Sequence, residues 1–327
     1  MTTSNLRIPL LALSFLAAAA CDTSDADPAF GEGDVENRCG QCGIKLNTNK
    51  IGDHVFSEID TNGEKHDGVA LLYVELHRYG KLDKVSVENG QLVGLIGNTV
   101  YDGEQFQHSI WHLSVEMQPD TWQEATMEIT NVTEDPYGQY GWKYTFVHQY
   151  IGGNKEYFPN CDKDENAANG EEFDAIVTGD ISVADKAHLV KRPNTIFIGC
   201  TSGGVGKAGL WGYPLHKVNS PERFTGAVRM VRADYCGIGE SFTKPGQPVS
   251  VTDVWGINYL AQNVKLEALW DENGAACVYE PRLNNTYSLS DVEHTCDDLG
   301  GRPITECKSD WGLGDLPDVL FMSTTPP

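Results

Sequence analysis

Positive charge is scarce in this sequence: 24 Lys and Arg stand against 47 Asp and Glu, a formal net charge of -23 over 327 residues. That balance works against binding to phosphate backbones and to anionic lipid surfaces, so no nucleic-acid partner is expected. The nearest approaches to basic patches are Lys186, Lys191 and Arg192, and then Arg223, Arg229 and Arg232. Both read as local neutralisation. Past the first twenty residues, no apolar run approaches the roughly 20 residues needed to cross a bilayer. Fixed-period repeats, low-complexity tracts and a G-x-S-x-G nucleophile elbow are also missing. The many carboxylates carry no spacing signal that would single out a hydrolytic pair. The sequence therefore assigns no catalytic residue, no metal and no cofactor.

What is present begins at the N-terminus. Arg7 supplies a positive start, Ile8 to Ala20 is almost purely apolar, and Cys21 closes the run. This is the pattern of a signal peptide (1–20) ending in a lipoprotein cleavage site. Ala18, Ala19 and Ala20 suit the peptidase, although leucine is commoner at the position of Ala18. Ordinary secretion with a free Cys21 is the alternative. Residues 22–38 carry six carboxylates and one arginine with few groups that can pack, which is the composition of a solvated tether. The expected mature protein is held to the exported side of a membrane, periplasmic or at the cell surface, by acyl chains on Cys21.

Nine cysteines agree with export: Cys21, Cys39, Cys42, Cys161, Cys200, Cys236, Cys277, Cys296 and Cys307. With Cys21 lipidated, the other eight can close four bridges in an oxidising compartment, in any of 105 connectivities. Spacing favours Cys296 with Cys307, because Gly300-Gly301 lets the chain return across a short loop. Cys161 with Cys200 and Cys236 with Cys277 are further candidates.

From about Ile44 the sequence alternates short apolar runs with turn signals, over 68–76, 84–100, 108–117, 123–132 and 141–151. It reads as a β-meander. Asn89-Gly90 supplies the positive φ angles of a tight hairpin turn. An acidic, Gly- and Asn-containing stretch at 160–180 suggests a soft boundary between β-rich regions at 39–160 and 161–327. Beyond it, 195–200, 226–231, 248–254 and 265–270 look extended, and Asp271 to Gly274 turns the chain into 275–280. Ser290 with Glu293 forms a capping-box pattern ahead of a short helix over 291–299 that Gly300-Gly301 stops. The fold expected is mainly β, a short-stranded meander or sandwich-like globule with few short helices, stapled by disulfides.

Several motifs give way to plainer readings. Cys39-Gly40-Gln41-Cys42 has redox and metal spacing, but it follows a tether instead of a strand and opens no helix, so a disulfide role is preferred. His108 and His112 on a strand stand roughly 13 Å apart, too far to share one metal. The run Cys200 to Ala208 resembles a phosphate loop, but Thr201 and Ala208 occupy the places that need glycine and Ser or Thr, leaving a Gly-rich turn. Asp162, Asp164 and Asn166 start like a calcium loop, yet Ala167 replaces the turn glycine and Phe173 the closing glutamate. An irregular calcium site in that acidic stretch remains open.

The run Val228-Arg229-Met230-Val231-Arg232-Ala233-Asp234-Tyr235-Cys236-Gly237 resembles the signature of ADYC-domain proteins, exported proteins found largely in myxobacteria. GGVGKAGLWGY (203–213), SFTKPGQPVSVTDVWGI (241–257) and LEALWDENGAACVYEPR (266–282) support it, and the likeness is clearest over 195–282. The resemblance implies a fold family and no reaction. In physical terms, Asp234 and Tyr235 beside a bridged Cys236 form a rigid corner, with Arg229 and Arg232 as carboxylate partners. The resemblance also implies cysteines where this chain has Ala208 and Ala227, so these two are expected to face each other on neighbouring strands, as across a lost bridge. The functional expectation is an envelope-anchored lipoprotein acting as a binding or surface-structural module toward an unknown ligand or protein. An exported hydrolase using Asp234 and Glu240 is the alternative, and a thiol oxidoreductase using Cys39 and Cys42 ranks third.

Overall fold

The computed structural model describes residues 45–326, apart from 136, 137, 139, 151–155, 164–172 and 245. The signal peptide, Cys21, the tether, Cys39 and Cys42 lie outside the described residues, as do Asp164, Asn166 and Ala167.

The chain opens with a minimal hairpin of β1 (Lys50–Ile51) and β2 (His54–Val55), then β3 (Glu58–Asp60), β4 (Val69–Leu76) and β5 (Gly80–Lys81). A three-stranded meander follows, made of β6 (Lys84–Glu88), β7 (Gln91–Ile96) and β8 (Thr99–Asp102). Asn89 and Gly90 link β6 to β7 with φ of 52° and 78°, and Glu88 pairs with Gln91, the two-residue turn expected from Asn-Gly. The long strands come next: β9 (Ile110–Gln118), β10 (Thr121–Glu134), β11 (Trp142–Tyr150), the short β12 (Phe158–Pro159), β13 (Asp174–Ala184) and β14 (His188–Cys200). They join the main sheet in the order β3-β14-β13-β11-β10-β9-β4-β5, with β12 on β11.

Alternation decides which face is buried. Trp111, Leu113 and Val115 of β9 lie against Ala125, Met127 and Ile129 of β10 and Tyr144 and Phe146 of β11, and together they build one core. The second half of β14, Thr195 to Cys200, has no such alternation, because both its faces are covered. Ile196, Ile198 and Cys200 enter this first core, whereas Phe197 enters a second. A continuous apolar run is what a strand between two cores requires.

The second core lies between that strand pair, a helical segment and a small sheet. The helices are α1 (Gly204–Leu210), α2 (Leu215–Val218) and α3 (Pro221–Arg232). After them come β15 (Ser250–Asp253), β16 (Lys265–Asp271), β17 (Gly274–Val278), α4 (Leu289–Asp298) and β18 (Phe321–Thr325), with the sheet ordered β15-β18-β16-β17. The architecture is mainly β with few short helices, as the sequence implied.

Four local expectations are corrected. Residues 226–231 are helical, not extended: Ser220 caps α3 by accepting from the Arg223 N–H at 3.1 Å, and Pro221 opens it. Phe224 to Arg232 are all buried, and the short apolar run within them imitates a buried strand, although Glu222, Thr225, Arg229 and Arg232 recur at helical spacing. The Gly-rich run is a short turn followed by α1, in which Gly206 lets the helix backbone approach the Cys200 carbonyl closely. Ala208 and Ala227 thus sit on two helices, both fully buried in the second core, and not on neighbouring strands. The short C-terminal helix exists, but its capping box is Ser288 with Asp291, two residues earlier than Ser290 with Glu293.

Three disulfides are present among the described residues: Cys161–Cys200, Cys236–Cys296 and Cys277–Cys307. The first is the expected pair. The other two overturn Cys296–Cys307 and Cys236–Cys277. The short loop after Gly300 does not close on itself; it brings Gly301 against the Cys236 side chain and leaves Cys307 to reach β17, where Val278 bridges Glu306. The observed loops of 60 and 30 residues each restrict the unfolded chain by about 4 kcal/mol in the chain-entropy treatment.

Candidate functional site

The signature residues gather at one corner, where α3 ends against the β16–β17 hairpin. α3 stops because Ala233 turns left-handed (φ 53°) and the Asp234 N–H returns to the Arg229 carbonyl at 2.8 Å. A non-glycine in that conformation costs roughly 1 kcal/mol, offset here by burying its methyl completely. Gly237 has φ 68°, and a side chain there would strike the Asn273 carbonyl.

Asp234 is fully buried and holds the next turn together. Its carboxylate accepts from the N–H groups of Ile238 at 3.1 Å and Gly239 at 2.8 Å. Arg229 Nε stands 3.7 Å from its Oδ2, while the rest of that guanidinium donates to the Glu272 and Gly237 carbonyls at 2.8 and 3.0 Å. Burial pushes the Asp234 carboxyl above its ordinary range, against the opposing pull of Arg232, Arg229 and the two N–H groups. Arg232 is also buried, its stem lying against Gly204 of α1.

Tyr235 points the other way, into the second core. Its ring stacks on Trp270 at 5.3 Å and meets Phe242 at 5.4 Å. The phenol donates to Glu267 Oε1 at 2.9 Å and accepts the Arg282 N–H at 2.7 Å. Burial, followed by the Glu267 charge, holds this phenol well above its usual range. Arg282 meets both Glu267 oxygens through Nε at 3.1 Å and donates to the Val231 and Met230 carbonyls at 2.7 Å. It thereby satisfies the Val231 carbonyl at the end of α3 and adds a second donor to the Met230 carbonyl, which already accepts the Ala233 N–H at 3.1 Å. Cys236 completes the corner through its disulfide to Cys296 on α4, and its carbonyl accepts the Arg302 N–H at 2.8 Å. The corner is thus a crosslink among α3, α4 and the hairpin. Asp234 and Tyr235 have no exposed surface.

Other sequence candidates are dispersed. His108 is in a left-handed turn (φ 62°) ahead of β9, with Nδ1 3.1 Å from Glu128. His112 stacks on Tyr73 at 4.1 Å, so the two histidines have separate partners. Asp162 faces Lys50 at 2.8 Å and Lys45 at 3.2 Å. Among the described residues, no group of three or more His, Cys, Asp or Glu side chains could hold a metal ion.

Two buried polar centres escaped sequence reasoning. Glu58 on β3 receives the Ser182 hydroxyl from β13 and lies 2.5 Å from His66 Nε2. The hydroxyl meets the carboxylate and not the imidazole, which is the wrong order for activating a nucleophile. Partners 124 positions apart leave no local pattern to read. On β11, His148 Nε2 accepts the Gly52 N–H at 2.9 Å, and burial lowers its pKa to about 4.

No curated protein and no solved structure matches this chain. The ADYC domain matches residues 103–284, more than half of the sequence, and takes in α3, the signature residues and the β16–β17 hairpin. This chain belongs to the ADYC-domain family.

Proposed function

We propose that the protein is an envelope-anchored lipoprotein, tethered through Cys21, whose β-rich body serves as a binding or surface-structural module. The observation that carries this reading is the burial of three disulfides in the cores, with all six of their sulfurs' residues at most 3 % exposed. Bridges of this kind persist in exported proteins and are rare where thiols are kept reduced. The apolar run ending at Ala20 and the acidic stretch after Cys21 supply the export and anchoring signals. The non-enzymatic half of the reading is supported by the corner, whose polar groups all serve the fold. An exported hydrolase built on Asp234 would need a carboxylate that substrate can reach.

The test is cell fractionation with intact-mass measurement of the mature chain. An acylated N-terminus at Cys21, and release of the protein from the membrane fraction by Cys21→Ser, are expected. An unmodified N-terminus elsewhere contradicts the anchoring.

A further inference from the structure

β4 and β9 are neighbours in the main sheet, paired antiparallel with Tyr73 opposite His112 and Glu75 opposite Ile110. These side chains belong to the wet face, since Val74 and Trp111 between them are buried. Two residues beyond Glu75 and Ile110, where the strands have ended, stand His77 and His108. Their rings lie 6.1 Å apart, centroid to centroid, in an edge-on arrangement. Both residues are exposed. Nothing in the sequence announces the pair, because the whole three-stranded meander separates β4 from β9.

One of the two imidazoles is held in place. His108 has a left-handed backbone (φ 62°), and its N–H donates to the Ile129 carbonyl at 2.7 Å. A left-handed non-glycine costs free energy to hold, which is a reason to look for function there. Its Nδ1 is 3.1 Å from Glu128 Oε1 on β10. A neutral imidazole that donates from Nδ1 keeps its lone pair on Nε2. A carboxylate behind the ring, fixing tautomer and orientation, is the arrangement that backs histidine ligands of metal ions. His77 complements it: among the described residues its side chain has no hydrogen-bond or ion-pair partner, only the ring contact with His108. With about 2.0–2.1 Å from each nitrogen to a shared ion, two imidazole centroids stand roughly 4.5–6.4 Å apart, according to the angle at the ion. The observed 6.1 Å lies inside that range.

The geometry points to a divalent transition-metal site at His77 and His108, with Glu128 positioning His108 and water filling the remaining coordination positions. Imidazole nitrogen suits copper, nickel and zinc, and among these a nitrogen site holds Cu²⁺ most tightly. Calcium and magnesium prefer sets of oxygen ligands. Among the described residues no group of three or more His, Cys, Asp or Glu side chains could hold a metal ion, so affinity rests on two nitrogens and the site stays open. The formal net charge of -23 favours cations over the surface as a whole. Locally the Glu75 and Glu128 carboxylates offset the charges of Arg78 and Lys81, and Lys81 Nζ lies over the Tyr73 ring at 4.5 Å. The inference rests on the reading of the body as a binding module and names what that module binds.

The probe is Cu²⁺ alone, titrated calorimetrically into the EDTA-stripped, untagged mature chain, with the bound ion followed by pulsed electron paramagnetic resonance. One tight equivalent is expected, coupled to two nitrogens, and Zn²⁺ occupies the same site more weakly. His77→Ala and His108→Ala each weaken Cu²⁺ binding about tenfold or more, Glu128→Ala weakens it about tenfold, and His112→Ala leaves it within about twofold. Melting temperatures measured without metal stay at the parental value in His77→Ala, and added Cu²⁺ raises that of the parent alone. No tight Cu²⁺ binding, coupling to fewer than two nitrogens, or undiminished affinity in His77→Ala or His108→Ala overturns the proposal. A failed titration removes the metal site and leaves the anchoring to be decided by fractionation. An unacylated Cys21 defeats the envelope reading and leaves the titration standing.

Discussion

Two turns in this molecule are built by the same device and put to opposite uses. At the signature corner, buried Asp234 accepts two backbone N–H groups; at the edge of the small sheet, buried Asp253 accepts three. The first turn then sends Tyr235 into the core with its phenol doubly hydrogen-bonded, whereas the second sends Tyr259 into solvent. A buried aspartate that organises a turn therefore does not by itself mark a functional site. The side chains that follow it show whether the turn holds the fold together or presents a surface.

The most damaging break in this comparison is at Arg282. Arg282→Ala leaves the buried Glu267 charge without its cation and the Val231 carbonyl without its side-chain donor, so a loss of about 3–5 kcal/mol is expected in urea unfolding. Tyr259→Ala in the same assay should stay within about 0.5 kcal/mol of the parent. Opening the corner covalently comes next: Cys236→Ser with Cys296→Ser should cost on the order of 4 kcal/mol by freeing a 60-residue loop. A stability loss below about 1 kcal/mol would mean that the corner holds without its staple.

Acidification sharpens the contrast from a third side, because His148 needs a neutral imidazole and neither aspartate turn does. The unfolded chain takes up a proton on His148 near pH 6.5, the folded chain only near pH 4. Stability from this group is therefore complete above the upper value and falls as pH drops through the window. The loss approaches about 3 kcal/mol, and His148→Gln should flatten that part of the pH profile. One further change is expected to bring a gain. Ala208→Cys with Ala227→Cys joins two helices inside one core, raising stability by no more than about 3 kcal/mol if the Cα atoms lie within roughly 4.4–6.8 Å. Quantitative free thiol in the double variant contradicts that facing.

The strands were legible because one face of the main sheet is wet. β9, β10 and β11 alternate in burial, and alternation is visible in a single sequence. α3 carried helical signals, with Glu222, Thr225, Arg229 and Arg232 recurring every three or four residues behind Ser220-Pro221, but the short apolar run over 226–231 imitates a buried strand. The corner was foreseen as rigid from Asp234, Tyr235 and Cys236, but its keystone pair, Glu267 with Arg282, is held together only by tertiary contact. The disulfide errors have the same origin. Spacing favoured the nearest cysteines, whereas packing of α4 on the corner and the Val278–Glu306 bridge chose distant ones.

The central claim, that the family signature builds a structural corner and not a reactive site, is tested most directly by equilibrium unfolding of Asp234→Asn. Asparagine keeps the shape, but it removes the charge facing Arg229 and turns an amide toward the N–H groups of Ile238 and Gly239. The account predicts a loss of at least about 2 kcal/mol. Parental stability in Asp234→Asn would contradict it.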